Sequence, residues 1–184
     1  MNKRETIIIS GEVFKISMQH FAFKTLYKTI ENMEELKKLK AFSSLQSVSL
    51  NGTNINDKGL KYLAECRSIS NINLTFTEIT DAGIAHLTVL THLQHLRLKD
   101  TLITAKSIPH FNKMLQLTSL QVHETKITGK DMLALNLPLL KELFLDCEDK
   151  EGHKALLMVS KQMPNCEIFV KGKGRYFKGN FEGW

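Results

Sequence analysis

Apolar residues recur along this chain with a long period laid over a short one. From Leu45 onward a fragment with apolar first, fourth and sixth positions returns at Leu45, Ile69, Leu93, Leu117 and Leu140, at intervals of 24, 24, 24 and 23 residues. Aligning the blocks stacks Val48, Ile72, Leu96, Leu120 and Leu143 in a second apolar column, and Leu50, Leu74, Leu98, Val122 and Leu145 in a third. Apolar residues alternating with polar ones predict a short strand with one buried face. Further along each block, Leu60, Leu63 and Cys66, then Ile84, Leu87 and Leu90, are three apart, which suits a helix. Each block thus predicts strand, turn and helix, with Asn56, Thr80, Thr104 and Thr128 placed to cap the helix N-terminus through a side-chain oxygen. One block cannot bury its apolar side alone, so five must stack around a shared core.

This pattern, LxxLxLxxT followed by Ile-Asn or Ile-Thr and, in two blocks, Asp-x-Gly, resembles the leucine-rich-repeat family over residues 45–170. It looks most like the cysteine-containing and related bacterial subtype, LxxLxLxxTxITDxGLxxL, and Met163-Pro164-Asn165-Cys166-Glu167-Ile168 is similar to the way many such arrays close. The resemblance implies an α/β fold. That fold is a right-handed solenoid with a short parallel sheet of about five or six strands on its concave face and helices on its convex face. One departure is the ninth position, where the common subtypes have Asn or Cys and this chain has Thr53, Thr77, Thr101 and Thr125. Subtype-specific partners therefore do not carry over.

The flanks fall outside the register. Residues 1–44 are expected to form an N-terminal cap, with strands at Thr6–Ile9 and 13–16 flanking the turn at Ser10 and Gly11. A helix over roughly 22–40 is expected from the spacing of Leu26, Ile30, Met33, Leu36 and Leu39. Residues 171–184 are Gly-rich, basic and aromatic. They suit a packed C-terminal cap, a flexible tail, or a binding peptide for acidic partners or single-stranded nucleic acid. The aromatics, including the single tryptophan Trp184, favour the cap.

Charge changes the picture little. Lys and Arg outnumber Asp and Glu by 8 to 5 in residues 1–44 and by 4 to 1 in 171–184, whereas the body at 45–170 balances at 13 each. The overall charge of +6 therefore belongs to the ends, and a duplex-binding surface is not expected. The first residues lack the apolar run of a signal peptide or a membrane span, so the default expectation is a cytoplasmic protein. Secretion as an effector without such a signal is the alternative.

Catalytic chemistry finds no support. GxSxG, P-loop, GxGxxG and HExxH patterns are absent, and Cys66, Cys147 and Cys166 form no CxxC pair, so they read as buried apolar residues. His86 and His110 share a repeat position without a Cys or acidic third ligand, and His92 and His95 should face opposite ways, so neither metal nor cofactor is expected.

Function then falls to the outward strand positions. The third, fifth and seventh residues of the blocks line the concave sheet, running from small polar residues through a basic stretch at His95, Arg97 and Lys99. Gln121 and His123 follow, and then an acidic and aromatic stretch at Glu142, Phe144, Asp146 and Phe169. Arg and Phe on a polar face are the types that become interface hot spots. A non-enzymatic module that binds a protein partner there is the expected function. A translocated bacterial effector, or a substrate-receptor subunit of a ligase-type complex using the same face, is the alternative.

Overall fold

The middle residue of each short strand fixes the core. In the computed structural model, which describes residues 5–25 and 27–183, parallel strands β4 (Ser47–Ser49), β5 (Asn71–Asn73), β6 (His95–Arg97), β7 (Ser119–Gln121), β8 (Glu142–Leu145) and β9 (Glu167–Val170) follow one another in sheet order. Val48, Ile72, Leu96, Leu120, Leu143 and Ile168 lie side by side in register and are buried, so the flanking residues of each strand point to the opposite, concave face.

The sheet is longer than the repeats alone predict. A cap strand, β3 (His20–Ala22), adds in parallel to β4 with Phe21 opposite Val48. At the far end β10 (Gly174–Phe177) and β11 (Asn180–Gly183) add antiparallel to β9, giving nine strands. A separate hairpin, β1 (Thr6–Ile9) and β2 (Glu12–Lys15), completes the N-terminal part. Phe14 packs on Phe21 at 4.7 Å between ring centroids, and Phe42 meets Phe21 edge-on at 5.9 Å.

The helix expected over 22–40 is not formed. Residues 23–25 and 27–32 are irregular, and among the described residues only Met33–Ala41 winds, as a 3-10 helix capped by Asn32, whose side chain accepts from the Glu34 N–H at 2.9 Å. A backbone turn and one contact hold the preceding chain out of a helix. Tyr27 has a left-handed φ of 53°, and the Ile30 N–H donates to Asn54 Oδ1 at 2.7 Å. Leu26 and Trp184, both used in the expectations above, lie outside the described residues.

On the outer side, α1 (Asp57–Leu63) and α2 (Asp81–Leu87) are capped as expected, Asn56 accepting from the Gly59 N–H and Thr80 from the Ala82 N–H. Thr104 likewise caps a 3-10 turn, Ala105–Ser107, that leads into α3 (Ile108–Phe111). The fourth block departs. It carries only a 3-10 turn, Asp131–Ala134, and Thr128 caps it reciprocally: its hydroxyl oxygen accepts from the Asp131 N–H at 3.4 Å, while the Asp131 carboxylate accepts from the Thr128 N–H at 2.8 Å and from its hydroxyl at 2.7 Å. The turn stops at Leu135, whose backbone is already extended (φ −78°, ψ 129°). The closing helix, α4 (Lys150–Gln162), is capped by Asp149.

Two side-chain devices recur along the array, one within each repeat and one between repeats. Each ninth-position threonine turns its hydroxyl onto the carbonyl three residues earlier: Thr53 to Leu50 at 2.8 Å, Thr77 to Leu74 at 2.6 Å, Thr101 to Leu98 at 2.8 Å and Thr125 to Val122 at 2.6 Å. This satisfies polar groups where the chain leaves the sheet. The aspartate of the Asp-x-Gly motif reaches forward one repeat. Asp57 accepts from the Thr80 N–H at 2.9 Å and its hydroxyl at 2.6 Å, and Asp81 accepts from the Thr104 N–H at 2.8 Å and its hydroxyl at 2.7 Å. The glycine of the motif leaves room for this clasp, because a Cβ on Gly83 would overlap the Asp57 carboxylate. The third and fourth blocks have Ala105 and Gly129 at the aspartate's place, and the clasp ends with Asp81.

Candidate binding face

Strand register brings the outward residues into rows. Across the sheet the fifth-position row runs Ala22, Ser49, Asn73, Arg97, Gln121, Phe144 and Phe169, and the third-position row runs His20, Ser47, Asn71, His95, Ser119, Glu142 and Glu167. All nine of the residues singled out from the sequence lie on or beside this face, and two clusters stand out among them.

The first group is polar. His95 and Arg97 are exposed and, with His20, Ser47, Ser49, Asn71 and Asn73, line a trough of about 530 Å³. His20 comes from the cap and was not anticipated. The alternation of exposed His20, buried Phe21 and exposed Ala22 was the available signal, but three residues are too few to register a period.

The second group is aromatic. Phe144 and Phe169 stack nearly parallel, with ring centroids 4.7 Å apart and planes 13° from one another. Each ring shields a face of the other, and both are half-buried. Beside them His123, Val170, Lys171 and Gly172 close a pocket of about 220 Å³. His123 is half-buried, its Nδ1 has no hydrogen-bond partner among the described residues, and burial pushes its pKa down. Lys99 and Lys171 push the same way, against Asp146 and Glu124. Burial thus favours the neutral imidazole.

The charges around the stack are largely committed to one another. Glu124, in the left-handed turn after β7, pairs with Lys171 and, at 3.5 Å, with Lys99, while Asp146 accepts from the Glu124 N–H. The hydrogen bond from Lys171 holds the Glu124 carboxyl below the usual range and raises the Lys171 ammonium. Lys99 also lies 4.9 Å from the centre of the Phe76 ring. Arg175 of β10 stands opposite Phe169 and bonds Glu167 at 2.6 Å and Glu182 at 2.9 Å. Glu124 and Arg175 escaped the sequence reading because one sits in a turn outside the alternation and the other in an antiparallel strand outside the repeat.

Other chemistry is sparse. All three cysteines are buried, which pushes the Cys66 thiol up to about 11 and Cys166 up to about 12, and raises Cys147. Among the described residues no group of three or more His, Cys, Asp or Glu is placed to hold a metal ion, and no helix is long and apolar enough to cross a membrane.

Comparison with known proteins agrees with this geometry. A family model described as a leucine-rich repeat matches residues 43–64, which span β4 and α1 up to its C-cap. Among solved structures, internalin C2 of Listeria monocytogenes strain 4b F2365 superposes with a TM-score of 0.56 at 21% identity, covering 86% of this chain and 74% of that one. The fold is a leucine-rich-repeat solenoid. A second internalin of the same strain matches with a TM-score of 0.47 at 20% identity, covering 76% of this chain and 49% of that one. No curated protein matches the chain in sequence.

Proposed function

We propose that the protein is an interaction module that seats a protein partner on the concave sheet, with the Phe144 and Phe169 stack as the energetic centre. The observation that carries this reading is the stack itself. Two large rings stand on the solvent side of a sheet whose other outward positions are nearly all polar, next to a pocket sized for an apolar side chain. Aromatic anchors ringed by polar groups are where binding energy concentrates, since the rim excludes water from the centre. His95, Arg97, Lys99, Gln121, His123, Glu142 and Asp146 form that surround. The array fits a partner footprint of about 800 Å² per side or less.

The test is capture of the main partner from an extract of the source cell, with Arg97→Glu plus Phe144→Ala compared with wild type and with the outer-face changes Lys61→Glu and Lys130→Glu. Loss in the concave variant alone supports the reading. Equal capture by the concave variant and wild type overturns it. Removing 171–184 is not a clean alternative, since β10 covers the edge of β9.

A further inference from the structure

The concave face holds two charges that the fold does not use. Among the described residues, Lys99, Lys171, Glu124, Glu167 and Arg175 all have ion-pair partners, and Asp146 holds a backbone N–H. Arg97 and Glu142 have neither an ion pair nor a side-chain hydrogen bond there, and both are exposed. Both lie near Phe144: Arg97 shares its row two strands away, and Glu142 precedes it by two residues on the same strand. Two strand spacings of about 4.8 Å and one two-residue step of about 6.7 Å put their backbones about 12 Å apart along a diagonal over Ser119 and Gln121.

From this placement we infer that the partner segment is an extended, zwitterionic peptide with a carboxylate and a cation four residues apart and an apolar side chain midway. The inference rests on the proposed function and names its ligand class. In an extended chain the first, third and fifth side chains share one face, and the first and fifth are about 13 Å apart, which matches the separation of the two charges. The carboxylate pairs with Arg97 and the cation with Glu142. The middle side chain, above β7, leans onto Phe144. Charge complementarity selects this occupant: a uniformly acidic segment would meet Glu142 and a uniformly basic one Arg97, each a like-charge contact on a face whose remaining charges are neutralised. The match holds for either chain direction, so composition and spacing are read and polarity is not.

The test uses a displayed library of random short peptides selected against the whole protein and three single variants. Wild type is expected to enrich peptides with opposite charges four apart about an apolar residue. Arg97→Glu makes both subsites acidic and is expected to switch the enriched charges to two cations, and Glu142→Lys to switch them to two carboxylates. Each reversal should weaken the wild-type consensus peptide about tenfold, the effect of turning one exposed attraction into repulsion. Enrichment lost in Phe144→Ala but indifferent to both reversals overturns the charge rule while leaving the aromatic seat standing. Enrichment that survives Phe144→Ala and both reversals overturns the concave-face reading as well. A wild-type selection that enriches nothing overturns the inference outright.

Discussion

Replacing Asp81 with Ala should loosen the junction between the second and third repeats by an amount the geometry allows to be worked out. The carboxylate accepts from the Thr104 N–H at 2.8 Å, from the Thr104 hydroxyl at 2.7 Å, and from the Ser107 hydroxyl. A hydrogen bond to a charged acceptor contributes about 1.5–3 kcal/mol when buried. Asp81 is half-buried, so solvent screens the site, and the three bonds together are worth about 2 kcal/mol rather than three times the buried value. For a chain of this size that lowers Tm by about 4–8 °C. Acid should erase part of the difference. Burial works to raise the Asp81 pKa, but the bonds from Ser107 and Thr104, with the nearby Lys106, outweigh it and the net shift is downward. A carboxylate with a lowered folded-state pKa adds stability that is fully present above its unfolded value of about 3.9 and is lost as pH falls through the folded value. Urea melts followed by circular dichroism should therefore show a large gap between wild type and Asp81→Ala at neutral pH and a smaller one near about pH 3. Equal midpoints at neutral pH, or a gap that widens in acid, would refute the clasp.

Truncating Leu96 or Leu120 to Ala, both fully buried mid-array, should cost about 2–5 kcal/mol; a wild-type denaturant midpoint for either would show that the register is wrong. Gly83→Ala should destabilise by about 1–3 kcal/mol by pushing on the Asp57 carboxylate, and combining it with Asp57→Ala should recover part of the loss; strictly additive effects in a double-mutant cycle would deny the contact. Cys66 and Cys166, with thiols near 11 and 12, should resist a thiol reagent at mildly alkaline pH until urea unfolds the chain, and rapid stoichiometric labelling of the native protein would contradict their burial.

What the sequence disclosed and what it hid divide along a physical line. The strands from β4 to β8 were legible because a two-residue alternation inside a 24-residue period leaves one alignment of apolar columns, and Phe144 and Phe169 followed from the same alternation. The helix expected over 22–40 failed although its apolar spacing was right, because spacing carries no information about Tyr27 turning left-handed or Asn54 bonding Ile30 from the next repeat. The strand at His20 lay outside the period, and the hairpin at the C-terminal end pairs antiparallel, where no repeat guides it. On the binding face the sequence showed which residues point outward but not which charges cancel. Glu124 reaches Lys99 and Lys171 from a turn, and Arg97 and Glu142 are left without partners among the described residues.

The most direct measurement places a photo-reactive phenylalanine analogue at Gln121, between Arg97 and Phe144 on the concave face, or at Lys61 on the outer side, and exposes each protein to source-cell extract. The account predicts a discrete cross-linked adduct from position 121 that Phe144→Ala removes, and none from position 61. An adduct formed from position 61 and not from 121 would contradict it.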